Sequence, residues 1–136
     1  MANVKLGTKA VGSIVKIKVN GASKDFIVVQ QGNPNTSTYD SSCNGTWLLM
    51  KDIYTTSTFG NNNSYKDSSI HTYLNGTFYN LIDSNIRAAI KQVKIPYQNG
   101  TGSGGSLATG SNGLSTKVFL LSGYEVGWTT SDNGYF

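Results

Sequence analysis

The sequence predicts an α+β fold, with an N-terminal β-hairpin, two short helices and a small, mostly antiparallel sheet. Three observations predict it. Residues 11–31 carry two β-branched apolar runs around Asn20-Gly21, and residues 67–92 switch to the three-to-four spacing of helices. Every remaining apolar run is short and bounded by Gly, Pro, Asn or Ser. At 136 residues the chain reads as a single domain, 1–136, large enough for its own core.

In the first element, Val11, Ser13, Val15, Ile17 and Val19 alternate with Gly12, Ile14, Lys16 and Lys18, the pattern of a half-buried strand. Asn20-Gly21 supplies both positive φ values of a type I′ turn, and Phe26 to Val29 is a second β-branched run, so 11–31 is a hairpin. Gly32-Asn33-Pro34-Asn35 ends it, and a polar loop leads to Trp47-Leu48-Leu49-Met50, a buried strand over about 47–50. Thr55 to Ser64, with Asn61-Asn62-Asn63, is an exposed loop.

A helix follows over about 67–80. Asp67 or Ser68 is its cap, and Ile70, Tyr73, Leu74, Thr77 and Phe78 form its inward stripe, with Asn75-Gly76 making its end ragged. Asp83 or Ser84 caps a second helix, about 83–92, whose Ile86, Ala89, Ile90 and Val93 share a face. Strands are expected at about 93–97 and 117–122, separated by a loop at 99–113 that carries six glycines. Ser122-x-x-Glu125 has the spacing of a capping box.

Ser, Thr, Asn and Gly supply 60 of the 136 residues and charged residues only 13%, which excludes coiled coils, helical bundles and charged disordered tails. The net charge is +4, but the lysines at 5, 9, 16, 18 and 24 are dispersed, and Arg87, Lys91 and Lys94 read as a solvated helix face. Nucleic acid is therefore not an expected partner. Cys43 is the only cysteine, so the chain forms no internal disulfide, and no metal or cofactor is expected. The first 19 residues are broken by lysines and read as neither a signal peptide nor a membrane anchor, so no membrane insertion is expected.

Proton-transfer chemistry has few candidates. Asp25, Asp40, Asp52, Asp67, Asp83 and Asp132 fall at turns or caps, and Glu125 belongs to the capping box. His71 is the only histidine, and a Cys43, His71 and Asp67 arrangement is the one nucleophilic constellation available. Gly100 to Gly105 matches G-x-G-x-x-G, but the residues after it are not helix formers, so no dinucleotide site is expected. Aromatic residues beside polar loops remain. A sugar face stacks on such a ring while Asn, Ser and Thr bind its hydroxyls. Trp47 reads as core, which leaves Trp128, Tyr124 and Tyr135 as the binding candidates.

The blocks SCNGTWLLMKDIY at 42–54, SSIHTYLNGTFYNLID at 68–83, IKQVKIPY at 90–97 and KVFLLSGYEVGW at 117–128 together resemble a family of uncharacterised domains. That family is common in gut Firmicutes and in the tail or fibre proteins of their phages. Its members continue past the equivalent of Gly134-Tyr135-Phe136 into a Trp-Trp-Leu-Arg-Ser-Pro type motif and a Gly-Val-Arg-Pro type strand, the end of a C-type-lectin-like fold. The resemblance thus implies half of such a domain: a fragment of a longer protein, or a short version that has lost the ligand-contact loops.

With so few proton-transfer candidates the chain is expected to be non-enzymatic, and the resemblance implies a module of a virion, or alternatively of a bacterial surface or cytoplasm, with other virion proteins or copies of itself as partners. Such a module is made in a host cytoplasm and helps attach to a host-surface glycan or protein. The alternative is a purely structural decoration or tail subunit, which would show an extended interface and no pocket.

Overall fold

The computed structural model describes residues 5–60, 64–99, 106–123 and 125–127. Its first layer is a three-stranded antiparallel sheet in the order β1-β2-β3, from Ile14–Val19, Ala22–Gln31 and Thr46–Met50. The hairpin closes as expected: Val19 pairs with Ala22, Asn20 and Gly21 carry φ of 51° and 74°, and Ile14 pairs with Ile27. Lys16 and Lys18 point outward while Ile17 and Val19 are buried, which is the predicted alternation. Between Val28 and Gln30 the pairing with β3 shifts register. This bulge at Val29 changes side-chain parity, so one strand serves two cores.

Across the sheet lies a composite helix: α1, Ser69–Tyr73, a π turn, Leu74–Phe78, and α2, Tyr79–Leu81. The Ser68 side chain caps its start by accepting from the His71 N–H. Asn75-Gly76, expected to fray the helix, instead produces the π turn, and the helix runs on to Leu81. Its end is stitched to the hairpin, because the Asn20 N–H donates to the Leu81 carbonyl and the Asp83 N–H to that of Lys18. The first core cluster, Ile17, Val19, Phe26, Leu74, Phe78 and Ile82, fills the space between hairpin and helix.

The helix α3, Ser84–Ala89, is capped by Asp83, whose carboxylate accepts from the Asn85 N–H. It stops well short of residue 92, because Val93 must be extended to pair with Thr116. Arg87, Lys91 and Lys94 therefore do not share a helix face: only Arg87 is helical, and Lys94 lies in β4, Val93–Ile95. The expected strand at 93–97 is two strands. β4 pairs with β7, Leu114–Thr116, whereas beyond Pro96 β5, Tyr97–Asn99, pairs with β6, Ser106–Ala108.

Residues 117–122 are not a strand, contrary to the sequence pattern. Their backbone hydrogen bonds go to side chains instead: the Lys117 and Val118 N–H groups donate to Asn75 Oδ1, the Val118 carbonyl accepts from Asn75 Nδ2, and the Leu120 N–H donates to the Tyr65 hydroxyl. With its ladder groups taken, the segment packs Val118 against the first cluster and Phe119 against the second. That second cluster is Tyr39, Cys43, Trp47 and Ile95, with Val29 leaning on it from the bulge.

The chain is thus α+β, with a hairpin, few helices and small antiparallel sheets, as the sequence predicts.

Candidate functional site

The two clusters do not merge, because a cavity of about 510 Å³ separates them. Its walls come from both: Ile17, Phe26, Phe78 and Ile82 on one side, and Cys43, Trp47, Val93 and Phe119 on the other. The third wall is α3. Ile86, Ala89 and Ile90, the face that sequence spacing marks as inward, do line it, yet no residue of α3 is buried. Ile86 and Ile90 pack in part on the first cluster and also face the cavity, whose volume lies within the roughly 300–1,000 Å³ of protein ligand sites.

Two lysines edge the cavity. The Lys91 Nζ donates to the Asn44 carbonyl at 2.8 Å, so its stem bridges from the α3–β4 connection to the turn before β3. Lys117 is half-buried, donates to the Tyr79 hydroxyl at 3.0 Å and holds its Nζ 4.7 Å from the Tyr79 ring centroid. The Arg87 guanidinium approaches the same ring at 6.0 Å, and the Tyr79 hydroxyl donates back to the Arg87 carbonyl. Arg87 Nη1 donates to Asn80 Oδ1, while its Nε is buried with no hydrogen-bond partner among the described residues. Two cations therefore meet at one tyrosine. The ion pairs among the described residues are Lys16–Asp25 and Lys66–Asp67, so no carboxylate pairs with Arg87 or Lys117.

The residues singled out by sequence are dispersed. Cys43 lies in the second cluster, donating from Sγ to the Lys94 carbonyl at 3.2 Å, and burial pushes its thiol above the ordinary value. His71 lies on α1 with its ring edge-on to Tyr65 at 5.1 Å, and burial holds its pKa below the usual range against the pull of Asp67. Neither has the other as a partner.

Asp25 is held below the usual carboxylate range by the Lys16 ammonium and Asp40 by the Ser42 hydroxyl, the first in a cross-strand pair, the second at a cap. Glu125 does form the capping box: Oε2 accepts from the Ser122 N–H, and the Glu125 N–H donates to Ser122 Oγ. The segment it caps is a turn, not a helix.

Trp47 is core, as expected. Its indole N–H donates to the Cys43 carbonyl, with Tyr39 and Phe119 edge-on at 5.6 and 5.4 Å. Tyr124, Trp128 and Tyr135 lie outside the described residues, as do Gly100 to Gly105. The glycine run leads into β6, which offers no helix N-terminus to a phosphate.

Among the described residues no three His, Cys, Asp or Glu side chains gather as metal ligands would, and no helix is long and apolar enough to cross a membrane. Sequence reasoning missed the Lys117, Tyr79 and Arg87 cluster. Its members lie 8 and 38 positions from Tyr79, and no local spacing marks them.

A family model described as "Domain of unknown function (DUF6273)" matches residues 44–135, more than half of the chain. No curated protein and no solved structure matches.

Proposed function

The chain belongs to the DUF6273 domain family, and from that premise we propose that it works by binding and not by catalysis. It acts as a module of a virion or a bacterial surface that contributes to attachment to a host-surface glycan or protein. The cavity is the observation that carries the binding reading. Protein interiors are close-packed with few voids, and this chain keeps about 510 Å³ open between two apolar clusters, room enough for a ligand. The rival role of a purely structural virion subunit is disfavoured on that ground.

Two further features favour attachment. Loop 51–60 is exposed and rich in Ser and Thr, and it presents Ile53 at 89% exposure and Phe59 at 43%, bare apolar contacts in a polar setting. Several of the ionisable groups that could move protons have structural partners: Cys43 a carbonyl, Asp25 a lysine, and Asp40, Asp83 and Glu125 their caps. The likeness to half of a C-type-lectin-like domain, and the phage and Firmicutes setting, belong to this reading through the sequence blocks that carry them. Glycan-array binding and host-cell pull-down with the intact gene product test it. Retention on a host surface that is lost on Ile53→Ser with Phe59→Ser is the expected result. Clean negatives in both assays remove attachment.

A further inference from the structure

We propose that the cavity binds an elongated apolar molecule with one anionic end, its body lying between the sheet and α3 and its charge held by Lys117. The proposal rests on reading the chain as a binder and names the ligand class of its cavity. Away from the lysines the walls are mostly hydrocarbon and aromatic, from Trp47, Phe119, Ile86, Ile90 and Val118, and the Ser42 and Thr46 hydroxyls already bond to the Lys94 N–H and to Gln31. Such walls offer a sugar almost no hydrogen-bond partners, and a buried hydroxyl without a partner is unfavourable. An apolar body meets no such penalty. The size also fits, since a dry cavity of about 150 Å³ already takes up benzene and this one is about 510 Å³.

The anionic end follows from the charges. Lys117 lines the cavity. Its ammonium lies 4.7 Å from the Tyr79 ring centroid, and no carboxylate among the described residues pairs with it. Its one hydrogen-bond partner among the described residues is the Tyr79 hydroxyl, and a carboxylate on the ligand supplies the charge-assisted contact that this half-buried ammonium lacks. A neutral ligand leaves the ammonium without a counter-charge. A cationic one is repelled by it.

The test uses the full chain carrying Trp128→Phe, so that Trp47, on the cavity wall, is the one remaining tryptophan. Dodecanoate, dodecanol and dodecyltrimethylammonium are titrated below their micellar concentrations, and a chain-brominated dodecanoate serves as the quencher of Trp47. The expected result is saturable, one-to-one quenching, with dodecanoate bound at least about tenfold more tightly than dodecanol, as one charge-assisted contact implies, and no binding of the cation. Lys117→Gln brings dodecanoate to the level of dodecanol and leaves dodecanol unchanged.

Absence of saturable quenching overturns the proposal, as does equal affinity for acid and alcohol, or an acid preference that survives Lys117→Gln. If that variant does not fold by circular dichroism, the three-ligand comparison on the Lys117 protein decides alone. Host attachment is read by separate assays, so either conclusion can fail without the other.

Discussion

The Tyr39 hydroxyl donates a 2.7 Å hydrogen bond to Glu125 Oε1 across 86 positions of sequence, and both residues are 4% exposed. A capping carboxylate thereby becomes a buried tie between the last described turn and the Trp47 cluster, which Tyr39 joins edge-on. Tyr39→Phe keeps the ring packing and leaves the buried oxygen short of a donor. The expected loss is about 1–3 kcal/mol in urea unfolding. An unchanged midpoint would show that water replaces the hydroxyl and that the tie is not structural.

Asn75 replaces a strand partner for residues 117 and 118, accepting from two backbone N–H groups and from Thr116 Oγ1 and donating to the Val118 carbonyl. Asn75→Ala strands these groups at once, and a loss of about 2–4 kcal/mol follows if two of them stay unsatisfied. The helix itself would gain in propensity from alanine. Net stabilisation in chemical denaturation would therefore refute the role assigned to the side chain.

Gly113 precedes β7 at a close approach, since a Cβ there would lie 2.7 Å from the Ile95 carbonyl oxygen and 3.1 Å from that of Gly110. Both neighbours are backbone and cannot swing aside. Gly113→Ala should push β7 off β4 and destabilise by about 1–3 kcal/mol, with amide exchange rising at Leu114 and Thr116. Protection equal to that of the parent at these amides contradicts the prediction.

His71 gives a pH dependence whose sign is fixed by burial, which lowers its folded pKa. Above the unfolded value of about 6.5 the ring is neutral in both states, and pH acts little through it. As pH falls below that value the unfolded ring protonates first, so stability drops until the lower folded pKa is passed. Thermal melts between about pH 7 and pH 5 should show this decline, and His71→Gln should flatten it. Asp67→Asn removes the opposing attraction and should steepen it. The lowered pKa values of Asp25 and Asp40 place their contributions at more acidic pH, below the usual carboxylate range near 4.

Cys43 is 2% exposed and its thiol is raised by burial, so its reaction with a disulfide reagent at mildly alkaline pH should be slow in the native protein and complete in denaturant. Being the only cysteine, it gives an unambiguous count. Fast native labelling would mean that the second cluster opens readily.

What the sequence settled by itself was local. Asn20-Gly21 and the alternation around it could form only a tight hairpin, because two consecutive positive φ values and a period of two leave one solution. Helix starts at Asp67 or Ser68 and at Asp83 or Ser84 were legible for a similarly short-range reason, and Ser68 and Asp83 take the caps, their side chains reaching N–H groups three and two residues ahead. Trp47 was readable as core from the apolar run it opens.

Tertiary structure decided the rest, because there the partner of each group is remote in sequence. Whether 117–122 became a strand depended on Asn75, some 42 positions earlier, taking up its N–H groups. How much of the apolar face of α3 packs on the first cluster and how much faces the cavity depended on how the two clusters are set around a β-bulge. The pairing of Lys117 and Arg87 at Tyr79 likewise arises only when helix and loop are brought side by side, since periodicity reports which way a residue points and not what stands opposite it.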